Sequence, residues 1–149
     1  MGENRAVAFR RGIWLELYAV NQLLGAAIAR AVDGETREFA LYSSLNAMEE
    51  ATPTEIAAVL GLPLTTASDH LNRMVERGHA AKAAHPRDGR SHVFSLTADG
   101  RRLTRAQAEQ FGRMIRRVRG RLSVDEERVR EVLDDLEAAL RAELDTPTS

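Results

Sequence analysis

Between Thr52 and Gly78 two short amphipathic segments stand three residues apart, and that spacing constrains the chain more than any other feature. Thr52-Pro53-Thr54-Glu55 opens the first segment. Thr52 can cap the backbone N–H groups that follow, and Glu55 stands three residues on, at the capping-box spacing. Pro53 suits a first helical position, where its missing N–H costs nothing. Ile56, Val59 and Leu60 are expected to face inward, and Gly61 offers a left-handed stop. Leu62-Pro63-Leu64 then turns the chain into a second helix over about Thr65 to Arg77. Its buried stripe reads Ala67, Leu71, Met74 and Val75, and Gly78 closes it. Two short helices joined by such a turn form a helix-turn-helix.

The next stretch changes character. The runs 81–84 and 92–96 flank His85-Pro86-Arg87-Asp88-Gly89-Arg90-Ser91, and Asp-Gly between extended runs signals a β-hairpin. Longer helical patterns lie on both sides. A first helix is expected from about Val7 to Val32, with Ile13, Leu17, Val20, Leu24 and Ile28 on one face. A second runs from about Arg37 to Glu49. Thr97 caps a long helix to about Arg121, and Ser123-x-x-Glu126 reads as a second capping box. The last helix carries Val129, Val132, Leu133, Leu136, Leu140 and Leu144 at nearly ideal spacing. These end helices are too long to bury their stripes on a body of 149 residues, and a second copy of the chain is the simplest partner.

Composition narrows the function. With 44% apolar and 29% charged residues the chain reads as one globular domain. No apolar run is long enough to span a membrane and the N-terminus lacks a signal-peptide core, so a cytoplasmic address is expected. Cysteine is absent, which removes disulfides, thiolate metal sites and cysteine nucleophiles. There is no Gly-rich phosphate loop, nucleophile elbow or His-Glu-x-x-His helix, so no enzyme and no cofactor are expected. The net charge of −1 conceals segregation. Residues 101–121 hold eight arginines against Glu109, a balance of +7; residues 123–145 hold nine acids against three arginines, a balance of −6. Antiparallel packing, within a chain or across a dimer, would neutralise both.

Five elements in order resemble the MarR (multiple antibiotic resistance regulator) family. They are Leu60-Gly61-Leu62, Thr65-Thr66-Ala67-Ser68, the close from Met74 to Gly78, Asp88-Gly89-Arg90 and Leu96-Thr97-Ala98-Asp99-Gly100. The resemblance implies a mainly α fold with a small β-hairpin wing (α+β): a winged helix-turn-helix with N- and C-terminal dimerisation helices. Residues 1–149 would form a single domain, 37–97 its DNA-binding core, and 5–33 and 98–145 the dimerisation helices. It further implies a homodimeric, sequence-specific transcriptional regulator on a pseudo-palindromic operator, a repressor released by a small aromatic or phenolic ligand. The alternative is a winged helix that binds protein, as an anti-repressor would, and no DNA.

On this reading the recognition helix offers Thr65, Thr66, Ser68, Asp69, Asn72 and Arg73 to DNA, since short donors and acceptors reach base edges once a helix lies in the major groove. Asp69 either accepts from cytosine N4 or pairs with Arg73 four residues on; pairing is favoured. Pro63 stands where the family usually carries a Ser/Thr-like cap, so either Pro63 is the first helical residue, Thr65 takes over, or the cap is lost. Arg87 and Arg90 bracket the hairpin tip and suit the minor groove; the resemblance assigns the Asp-x-Arg contact to Arg90, with Asp88 shaping the loop. Trp14, Tyr18, Tyr42 and Phe111 are candidates for an effector pocket, against the plainer reading of core. His70, His79, His85 and His92 are read as polar surface residues, as groups that gain charge below about pH 6.5, or as metal ligands; their spacings match no ligand motif on one helix.

Overall fold

The computed structural model describes residues 12–34 and 36–145. The elements are α1 (Ile13–Ala31), α2 (Thr36–Met48), β1 (Glu50–Ala51), α3 (Pro53–Leu60), α4 (Leu64–Glu76), β2 (Ala80–Ala84), β3 (His92–Leu96), α5 (Ala98–Arg119) and α6 (Glu126–Leu144). The fold is thus mainly helical with a small antiparallel sheet, as expected. Two compact units divide at Met114, and α5 runs from the first into the second. The part of the first helix expected over residues 7–11 lies outside the described residues.

Local signals in the first unit act as read. Thr52 caps α3: Glu55 N–H donates to Thr52 Oγ1 at 3.2 Å, and Thr52 N–H donates to Glu55 Oε2 at 2.7 Å. Pro53 takes the first helical position, and Gly61 ends α3 at φ 62°, a conformation that glycine adopts without a Cβ penalty. Val59 departs from expectation and stands 53% exposed. Ile56 and Leu60, four residues apart, take the inward side of this two-turn helix, and Val59 lies roughly 100° round from Leu60.

The core gathers α2, α3, α4 and the sheet. Leu45, Ile56, Ala67 and Leu71 are fully buried, with Leu41, Tyr42, Met74 and Phe94 beside them. Each large side chain so buried contributes roughly 1.5–3 kcal/mol. The wing is the hairpin of β2 and β3, paired from Ala80 with Leu96 to Ala84 with His92. β1 is an element the sequence reading did not anticipate. Its two residues pair with Ser95 and Phe94, making a three-stranded sheet in the order β1-β3-β2. Glu49 reaches β1 through a left-handed φ of 65°.

The wing joins α5 closely. Thr97 Oγ1 donates to the Gly78 carbonyl at 2.7 Å and accepts from Gly100 N–H at 3.1 Å, which caps α5. Gly100 packs against the His79 backbone carbonyl, and any Cβ at that position would collide with it. Where α1 ends, Gln107 Nε2 donates to the Asp33 carbonyl at 2.8 Å. α1 leaves most of its apolar side chains uncovered, Trp14 at 64% and Leu23 at 70% among them.

In the second unit α6 is capped by Asp125, whose Oδ1 accepts from Arg128 N–H at 3.0 Å. This corrects the expected Ser123 box: Asp125 is the nearer acceptor to the first turn, and the helix starts two residues later than the box implies. No described residue of α6 is buried, and its apolar stripe stays open, with Val132, Leu133 and Leu140 about half exposed and Leu144 84% exposed. Arg119 of the basic run pairs with Glu126 of the acidic run at 2.8 Å.

Removing the Thr52 hydroxyl should cost about 1 kcal/mol of stability. Two bonds lower the pKa of the Glu55 carboxyl, first from the Thr52 backbone N–H and then from its side chain. A lowered carboxylate contributes in full above its unfolded value of about 4.3 and loses that contribution as pH falls through the folded value. Urea unfolding of Thr52→Ala should therefore show a larger penalty at pH 7 than in acid.

Candidate nucleic-acid interface

The interface begins with what α4 buries. Ala67, His70, Leu71 and Met74 face the core, at the spacing one helical face requires. The opposite side carries Thr65, Asp69, Asn72 and Arg73 into solvent, with Thr66 and Ser68 half-buried at its margins. His70, only 8% exposed, corrects the reading of the four histidines as surface residues. Its position completes the i, i+3, i+4, i+7 pattern that starts at Ala67.

Pro63 sits at the N-cap of α4 and makes no side-chain cap; its carbonyl accepts from Ala67 N–H at 3.0 Å. It is therefore not the first helical residue, and the cap is absent. Asp69 does not hold Arg73. The Arg73 Nη2 group lies 3.2 Å from His70 Nδ1 instead, one helical turn back along α4.

The wing tip is built by its own backbone. Arg90 N–H donates to Asp88 Oδ1 at 3.1 Å, Ser91 N–H to the Asp88 carbonyl at 3.0 Å, and His85 N–H to the Ser91 carbonyl at 3.0 Å. Asp88 thus folds the loop, and the Arg87 and Arg90 side chains project exposed from it. A groove of about 320 Å³ runs between the start of α3, α4 and the wing. It brings together Ser68, Asn72 and Arg90, which the sequence reading named, with Leu64 and Lys82, which it did not. Two cations and no carboxylate line it among the described residues. Lys82 stands opposite Phe94 on the same face of the hairpin, and its Nζ lies 5.5 Å from that ring. A second open surface on α4 holds Asp69, Asn72, Arg73 and Glu76.

The four aromatic candidates stand in different settings. Tyr42 is 1% exposed, and its hydroxyl shares a 2.7 Å hydrogen bond with His79 Nδ1. Burial pushes the Tyr42 phenol above its ordinary value, while the Arg77 guanidinium, itself bonded to Glu38 at 2.7 Å, pulls it the other way. Phe111 is half-buried with its ring centroid 4.8 Å from that of Phe39. Trp14 and Tyr18 stand exposed on α1. His85 Nδ1 accepts from Arg87 N–H at 3.2 Å, and His92 is exposed. Among the described residues no cluster of three His, Asp or Glu side chains could hold a metal ion.

The Tyr42–His79 bond ties α2 to the segment that follows α4. Tyr42→Phe should leave the ring packing intact and lower unfolding free energy by about 1–2 kcal/mol, the cost of an unmet partner in a partly buried site. Unchanged denaturant midpoints would contradict that role.

The MarR family model matches residues 39–91, from α2 through the wing. No curated protein sequence matches the chain. Among solved structures, a mutant MarR from E. coli complexed with operator DNA is 23% identical, with a TM-score of 0.74 over 86% of this chain and 93% of that one. The M. tuberculosis regulator MOSR, in complex with DNA, is 24% identical, with a TM-score of 0.76 over 89% and 98%. The Streptomyces coelicolor regulator PcaV, with its natural ligand, is 21% identical, with a TM-score of 0.74 over 93% and 98%. At these identities the structural likeness is one of fold. The chain therefore carries a stretch over residues 39–91 that is similar to the MarR family, its winged helix-turn-helix set in the fold that those regulators share.

Proposed function

We propose that the chain is a homodimeric, sequence-specific DNA-binding transcriptional regulator of the cytoplasm, with no enzymatic activity, and a repressor that a small ligand releases. One observation carries the reading: α4 buries a single stripe and turns its Thr/Asn/Arg side outward beside a groove whose charges are Lys82 and Arg90. Such a helix docks by laying its N-terminal half along base edges in the major groove. Thr65, Thr66, Ser68, Asn72 and Arg73 are the base and phosphate contacts, with Asp69 as an acceptor for cytosine N4. Arg87 and Arg90 reach the adjacent minor groove, where the potential is most negative.

Two of the similar structures hold DNA, and that supports the same use here. The uncovered apolar faces of α1 and α6 support a dimer, because exposed faces of that extent mark interaction surfaces. The groove's charge favours DNA over the protein-binding alternative. PcaV with its natural ligand supports a small-molecule effector; Trp14, Tyr18, Tyr42 and Phe111 are the aromatic side chains proposed to meet it. No described helix is long and apolar enough to cross a membrane.

Selection of duplexes from a random pool, with sedimentation of the purified chain, tests the reading. A dimer that enriches an inverted repeat supports it; a lone subunit that ignores every duplex at low salt overturns it. Arg90→Ala should weaken binding to the selected duplex about tenfold and flatten its salt slope by about one. Equal affinity and slope would remove Arg90 from the interface. Trp14 is the single tryptophan, so its fluorescence should change on titration with phenolic acids; silence across a broad panel would count against an aromatic effector.

A further inference from the structure

Arg73 has three helical neighbours that could accept from its side chain: Asp69 four residues before, His70 three before and Glu76 three after. Charge alone favours a carboxylate. Yet Arg73 Nη2 lies 3.2 Å from His70 Nδ1, and neither Asp69 nor Glu76 forms an ion pair with it among the described residues. A guanidinium has only donors, so in this bond Nδ1 is the acceptor. The His70 ring is 8% exposed and set among the core-facing residues of α4, so its acceptor atom is held in place. Arg73 itself is exposed, on the open surface shared with Asp69 and Glu76.

A guanidinium bonded to a neutral nitrogen keeps its full charge and its remaining donors. One paired with a carboxylate loses most of its field outside the pair. We propose that His70 is a positioning residue of the recognition surface: it holds Arg73 away from the flanking carboxylates, so that the guanidinium meets the DNA duplex with its charge uncancelled. The inference rests on the DNA-binding reading, and its test separates the two.

With the full-length chain and a duplex it has selected, His70→Leu should weaken binding about tenfold, the scale of one misplaced guanidinium contact. The same substitution should add nothing in an Arg73→Ala background, because the two residues act as one unit. His70→Asn, whose side-chain carbonyl reaches the place of Nδ1, should restore most of the affinity. His70→Gln, whose carbonyl reaches past it, should not. Melting temperatures are followed throughout, and if His70→Leu fails to fold, the Asn and Gln variants decide. Equal losses from His70→Leu with and without Arg73, or equal affinities for the Asn and Gln variants, overturn the inference. If Arg73→Ala leaves binding intact while Arg90→Ala weakens it, the inference fails and the DNA-binding reading stands. No binding by the unaltered chain sinks that reading itself.

Discussion

Burial of one stripe of α4 is the constraint on which the rest of the fold depends. Ala67, Leu71 and Met74 share one buried cluster with Ile56 of α3, Leu45 of α2 and Phe94 of β3. Three elements must converge to cover that stripe, and their convergence fixes the helix about its own axis. A helix so fixed has no freedom in what it presents on its other side. Core and recognition face are therefore one choice, and a change of register in α4 would bury Asp69 or Arg73 and expose Leu71. Charges of that kind are almost never buried unpaired, so the cost of the wrong register defends the right one.

Electrostatics work at the scale of surfaces. A net charge of −1 across the chain coexists with a groove bearing two cations and no acid among its described lining. The ion pairs among the described residues are mostly within single helices, as in Arg128–Glu131 and Arg141–Glu137, two pairs that are half exposed or more. Pairs of that kind contribute about 0–1 kcal/mol each. The segregated charge of residues 101–145 matters for what the surfaces attract and exclude far more than for whether the chain folds.

Features that depend on neighbouring residues were legible in the sequence. The Thr52 box, the Gly61 stop and the Asp-Gly wing each rest on a few adjacent positions, and each stands where the pattern placed it. What escaped depends on distant or competing partners. β1 is two residues long and exists because β3 offers it an edge, which no local pattern announces. At α6 two residues, two positions apart, competed for one cap, and Asp125 prevailed over Ser123. His70 was within reach, since it falls on the buried phase of α4, but its polarity argued for the surface. Of the candidate site, Ser68, Asn72 and Arg90 were legible and share a groove. The pairing of Arg73 was not, because three acceptors stood within helical reach and only the core decides which of them is immobile.

The seat of Gly100 against the His79 carbonyl has a consequence for how α5 meets the wing. The two are stopped by backbone touching backbone, with no side chain between them to rotate, shrink or be traded for another. Such a stop does not soften as neighbouring hydrophobic residues drift in size. The spacing between α5 and the wing is thereby set by backbone alone, whatever side chains stand around the junction.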